Sequence, residues 1–193
     1  MFKFNSFKHV FISAALVGSF SFAQTPAASP TSQMAPEVHP VGDIPDNQAF
    51  VPYRNAAGGY TIDAPEGWAR TVNGSDVSFL SKLGEVKVTV TPSKAAPSVS
   101  SVRADTLKAL AGTESGVKIN TVKAIKLPAG TAILASFDSL SAANAVTGKA
   151  ALLENDLYVL NHAGQQVQLR FSAPKGSDNV DAWRQMSRSL RWK

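Results

Sequence analysis

Asn161-His162-Ala163-Gly164-Gln165-Gln166-Val167-Gln168-Leu169-Arg170-Phe171 is the stretch whose reading decides the fold. His162-Ala163-Gly164 is a hairpin signal, and it separates two extended segments, 149–161 and 165–173, which it makes neighbours in one sheet. In the second of them Val167, Leu169 and Phe171 alternate with Gln166, Gln168 and Arg170, so one face is apolar and the other polar. That is the period of a half-buried antiparallel sheet.

Working outward, segments 117–127 and 131–140 read as two further strands. Before them Pro97 and Ser98 give a helix start, and Val99, Val102, Thr106, Leu107 and Leu110 form one stripe until Gly112 ends it. Earlier still, Val86, Val88 and Val90 alternate with Lys87, Thr89 and Thr91, and a short strand is expected over 77–80. The opening element is Gly58-Gly59-Tyr60-Thr61-Ile62-Asp63-Ala64-Pro65-Glu66-Gly67-Trp68, in which two glycines bend the chain, three residues alternate as a strand face and Pro65 stops the strand. Trp68 should pack over the sheet. Asn73-Gly74-Ser75 has the form of a glycosylation sequon but reads as a turn.

On the C-terminal side, Asp178 is the expected N-cap of a closing helix with Asp181 in its first turn and Arg184, Arg188 and Arg191 toward its other end, which suits the helix dipole. Val180, Trp183, Met186 and Leu190 make its apolar stripe, so the helix should lie on the sheet as a lid. Trp192 is expected to act as a terminal packing plug.

The N-terminal 23 residues read as an export signal: Lys3 and Lys8 form the positive region, 10–18 the apolar region, and Ser21-Phe22-Ala23 the cleavage site. The apolar stretch falls short of the roughly 20 residues that cross a bilayer, so the expectation is cleavage after Ala23 and a periplasmic or secreted location. The chain has no cysteine, which removes both a lipid-anchor site and disulfide support. Residues 24–48, rich in Pro, Ala, Ser and Thr, read as a flexible linker, and 49–193 as one globular domain. Without the signal, 19 basic residues become 17 against 14 acidic, a net charge of +3 instead of +5. That mild excess suits an anionic envelope surface and is far from the clustered charge of nucleic-acid binders.

The search for chemistry returns little. With no Cys and His162 as the one domain histidine, a zinc or copper site of ordinary composition cannot be assembled, and no cofactor is expected. His39 in the linker and His162 in the hairpin are read as solvated polar residues. No Gly-x-Ser-x-Gly elbow or phosphate loop occurs. Glu154 and Asp156 lie two apart on an extended segment, which puts their carboxylates on one face about 7 Å from each other. Asn155 between them favours a solvated bulge or edge over acid–base or cation chemistry.

Tyr60-x-x-x-x-Pro65-x-x-Trp68, with Gly67, Phe79, the Gly164 hairpin, Pro174, Asp178, Trp183 and Trp192, in the order strand run, helix, four strands, closing helix, resembles the PsbP-like family. The resemblance runs from about Phe50 to the C-terminus. Its namesake is the extrinsic photosystem II subunit, and the fold recurs in a Ran-binding import factor and in bacterial envelope proteins of obscure role. The resemblance implies a single α/β sandwich of the α+β class, an antiparallel sheet flanked by helices, in accessory or binding proteins without catalysis. No metal- or photosystem-contacting residue of the namesake maps onto this chain. The expected function is therefore a monomeric, non-enzymatic envelope protein that docks onto a protein or an anionic polymer. Its docking surface is assigned to Lys87, Gln168 and Arg170 on the polar sheet face or to Arg184, Arg188 and Arg191 on the last helix. The alternative is a small hydrolase or other enzyme at Glu154 and Asp156; a pocket with polar groups converging on them would favour it.

Overall fold

The computed structural model describes residues 40–193. The predicted signal segment, His39 and the linker up to residue 39 lie outside the described residues. Ten strands and two helices follow. They are β1 (Phe50–Asn55), β2 (Tyr60–Pro65), β3 (Ala69–Asn73), β4 (Asp76–Leu80), β5 (Glu85–Pro92), helix α1 (99–113), β6 (Lys118–Leu127), β7 (Gly130–Leu140), β8 (Leu152–His162), β9 (Gln165–Pro174), helix α2 (Val180–Ser189) and β10 (Arg191–Trp192).

The hairpin forms where the His162-Ala163-Gly164 signal places it. β8 and β9 pair antiparallel with His162 opposite Gln165, and Ala163 (φ 49°) and Gly164 (φ 78°) make the two-residue turn with both central residues left-handed. Around this pair the large sheet runs β3-β4-β5-β9-β8-β7-β6, and a small sheet runs β1-β2-β10; every pairing is antiparallel. One face of the large sheet is covered by the small sheet and α2. Tyr60, Ile62 and Ala64 of β2 meet Val77, Phe79, Val86, Val88, Leu169 and Phe171 there, with Trp183 and Met186 of α2. The opposite face is covered in part by α1, whose Val102 and Leu107 pack on Ile133, Phe137, Leu157 and Val159. The result is an α+β sandwich with a core on each side of its large sheet.

Several local expectations need correction. β1 and β3 carry no alternation that marks them as strands, because both are edge strands with little buried surface; all five residues of β3 are exposed. β8 starts at Leu152, not at Lys149. Ser98 caps α1 through a reciprocal pair with Ser101, as its position implied, but the helix runs past Gly112 to Thr113. Its middle, Val102–Leu107, is wound as a π-helix. The reason is spacing: residues five apart stand about 140° apart on an α-helix, and the wider π turn brings Val102 and Leu107 onto one face.

The closing helix is a lid. Trp183 is 7% exposed and stacks on Phe171, with ring centroids 5.7 Å apart. Val180, however, stands in solvent, and the N-cap is Asn179 rather than Asp178. Asn179 makes no cap bond because its side chain is engaged elsewhere: its Oδ1 accepts from the Ile44 amide (2.7 Å) and its Nδ2 donates to the Gly42 carbonyl (3.0 Å). Ser177 Oγ donates to the Val41 carbonyl and Asp43 Oδ1 accepts from the Asp178 amide. The last part of the expected flexible linker, 40–48, is thus seated on the domain, with Ile44 buried. A buried isoleucine and four hydrogen bonds offset the ordering of a short segment.

Candidate functional site

β7 and β8 are paired so that Ser136 faces Asp156 and Asp138 faces Glu154, on the side of the sheet turned toward α2. Directly opposed residues of an antiparallel pair have Cβ atoms about 5 Å apart, so three carboxylates share one patch. With Asn120, Lys175, Val180 and Trp183 they line a cavity of about 380 Å³. Asn120 reaches it because the β6–β7 register shifts between Ile119 and Thr121, a bulge that turns its amide inward.

The three carboxylates are not equivalent. Asp138, 5% exposed, accepts from Lys175 Nζ at 2.5 Å and from Asn120 Nδ2 at 3.0 Å. The lysine bond, with help from the amide, outweighs burial and holds its carboxyl below the ordinary range. Glu154 is pushed up, first by burial and then by its neighbours Asp156 and Asp138, against a bond from the Gly176 amide. Asp156 is also pushed up by burial, against the Ser136 hydroxyl that donates to it at 2.5 Å. Asp138 is thus held toward its ionised form, while Glu154 and Asp156 are each shifted the other way. Among the described residues no group of three or more His, Cys, Asp or Glu side chains is placed to hold a metal ion.

Asn155 is not in a solvated bulge or at an edge. β8 is an interior strand, and Asn155 is 2% exposed and points to the α1 side. Its Nδ2 donates to Phe137 O (3.2 Å) and Ser139 Oγ (3.1 Å), and its Oδ1 accepts from Arg170 Nη2 (2.8 Å) and from Ser172 Oγ. Arg170 in turn forms a bidentate pair with Glu114 just past the end of α1 and lies over the Phe137 ring. Here the guanidinium ties the helix end to the sheet.

The six residues assigned to a docking surface fall into two places. Lys87 is exposed on β5, opposite Arg170 of β9, with Gln168 two residues away and half-buried, but Arg170 is engaged as just described. Arg184 and Arg188 are exposed on α2, which covers the other face, and Arg191 follows in β10. Arg184 pairs with Asp181 at 2.7 Å, and Arg191 Nη1 donates to the carbonyls of Arg188 (2.5 Å) and Leu190 (2.7 Å). His162 is likewise not a bare turn residue: it ends β8 and stacks on Trp192 at 4.5 Å with rings nearly parallel. Trp192 Nε1 donates to Ala129 O at 2.6 Å, so the terminal tryptophan is a packing residue.

Asp138, Lys175, Asn120 and Glu114 were not singled out in the sequence. Each sits alone in its own segment, and only strand register brings Asp138 to Glu154, so no local pattern marks them.

No family model matches the chain, and no curated protein matches it. Solved structures do. PsbP (CyanoP) from Synechocystis sp. PCC 6803 superposes with a TM-score of 0.56 at 15% identity, over 76% of this chain and 94% of that one. The Ran-binding protein Mog1p of Saccharomyces cerevisiae does so at 0.50 and 10% identity, over 75% and 96%. The chain has the PsbP-like fold.

Proposed function

We propose that this chain is an exported, non-enzymatic binding protein of the cell envelope, cleaved after Ala23, that docks as a monomer onto an anionic partner, a protein or a surface polymer. The observation that carries the reading is the division of labour on α2. Its inner face is in the core through Trp183 and Met186, while Arg184 and Arg188, one turn apart, stand outward and Arg191 continues the basic end. A row of guanidinium groups on a rigid element suits carboxylate- or phosphate-bearing partners. Protein binding on this fold has a precedent in Mog1p. The test is retention of the full chain on immobilised envelope extract against salt. Arg184→Glu with Arg188→Glu should weaken retention by roughly tenfold and flatten its salt dependence; unchanged retention removes the docking face. Export predicts a mature N-terminus at Gln24 and release by osmotic shock without detergent, and an intact N-terminus in the membrane fraction overturns it.

The enzyme reading is supported by one observation, the opposed pKa directions of Asp138 and Glu154 in a shared cavity. Turnover of chromogenic ester, phosphate or glycoside substrates that disappears in Glu154→Gln would establish it, and an inert protein across that panel would end it.

A further inference from the structure

The end of the large sheet opposite the Ala163-Gly164 turn carries a second concavity, of about 610 Å³, on the α1 side. Its walls are the turn between β4 and β5 and the loop between β7 and β8. Both are held in shape by their own hydrogen bonds. Ser81 Oγ accepts from the amides of Leu83 and Gly84, and Asn144 Oδ1 accepts from those of Val146 and Thr147. The loop is closed at its base, where Ser141 and Ala151 exchange bonds at 2.9 Å.

These walls present two kinds of side chain. Leu80, Leu83 and Leu140 line the groove although they are 53, 43 and 38% exposed, and Leu153 joins them. Single exposed leucines need no explanation, but three around one concavity, with the half-buried Leu153 beside them, do. Lys82, Lys87 and Lys149 stand among them, and none forms an ion pair among the described residues. Glu85 is the one wall carboxylate outside the Arg170 pair, so positive charge prevails.

The polar side chains of the floor are already engaged. Ser139, Ser172, Arg170 and Glu114 are engaged with Asn155 or with one another, and the strands beneath, β5, β9, β8 and β7, are each paired on both sides. A peptide backbone would find no free strand edge there. What remains is apolar contact and point charge, in a volume within the range of about 300–1,000 Å³ usual for small ligands.

We infer that this groove binds a small single-tailed anionic amphiphile, its tail against Leu80, Leu83, Leu140 and Leu153 and its carboxylate, sulfate or phosphate head among Lys82, Lys87 and Lys149. The site lies on the other side of the sheet from α2 and does not depend on the docking face there.

Titration calorimetry of the full chain with dodecanoate, dodecyl phosphate and dodecyltrimethylammonium, each below its micelle concentration, tests this. The two anions should bind saturably at one site, at least tenfold tighter than the cation, and the tighter of the two identifies the head group. Lys82→Glu with Lys149→Glu, and separately Leu83→Ser, should each lower anion affinity by tenfold or more while the melting temperature stays near the wild-type value. Lys126→Glu, on β6, should leave it unchanged. Equal binding of anion and cation, non-saturable binding, or affinity untouched by both groove variants overturns the proposal. Displacement of bound dodecanoate by an acidic, leucine-containing peptide that binds more tightly also overturns it, by giving the groove to a protein segment.

Discussion

Trp183 and His162 show how much one side chain contributes. Trp183 fills the space between lid and sheet, so Trp183→Ala should cost about 3–5 kcal/mol, read as a shift of the urea midpoint. His162→Ala should cost more than a solvated residue would, about 0.5–1.5 kcal/mol, because it loses its stack on Trp192. A wild-type midpoint for Trp183→Ala would mean that the helix is no lid. The carboxylates give a prediction with a sign. Asp138, whose folded value is depressed, contributes stability that is present above its ordinary value of 3.8 and lost as pH falls through the lower folded one. Asp156 does the opposite: its folded value is raised, so its penalty is complete above that value and relieved as pH falls toward 3.8. Asp156→Asn keeps an acceptor for Ser136 and should therefore raise stability at neutral pH by about 0.5–2 kcal/mol, with the gain vanishing in acid. Thermal melts from pH 7 down to 3 measure both.

At the scale of elements, legibility follows burial. β5, β9 and β2 were readable because one face of each lies in the core and the alternation is written in Val, Leu, Ile and Phe. β1 and β3 were silent because an edge strand buries too little to need a pattern, and β1 even carries Pro52. The lid's stripe was legible, but its cap was not, because Asn179 answers to Gly42 and Ile44, far away in sequence. The carboxylate site was half legible. Glu154 and Asp156 share a face by simple periodicity, whereas Asp138 joins them through register and Asn120 through a bulge. The π segment of α1 holds one residue more than an α-helix of the same span needs. Deleting Ala104, which is exposed, should convert it to an α-helix with Val102 and Leu107 still on the core side. The deletion should then cost less than Leu107→Ala, for which about 2–5 kcal/mol is usual. A deletion costing as much as Leu107→Ala would show that the π winding serves more than spacing.

For the molecule as a whole, the fold class was legible and its N-terminal limit was not. A domain cut at residue 49 loses Ile44 and the bonds around Asn179, while one cut at residue 40 keeps them. The shorter form should be less stable by about 2–4 kcal/mol, from one buried isoleucine and a few hydrogen bonds. Equal urea midpoints for the two forms would show that the segment lies on the domain without holding it.

The strand order also bears on the time course of folding. β6, β7, β8 and β9 are successive neighbours joined by local connections, and so are β3, β4 and β5, yet the two groups meet only along the β5–β9 ladder, from Glu85 opposite Ser172 to Pro92 opposite Gln165. Contacts so distant along the chain close late, because the intervening loop must lose its entropy first. As the chain is synthesised, β5 is made early and can pair with β4 along one edge, but its other edge, through Val86, Val88 and Val90, has no partner until β9 emerges. The nascent protein therefore carries an open, valine-rich edge through much of its synthesis. The contact that joins the two halves of the sheet is also its point of exposure to misassembly and to chaperones.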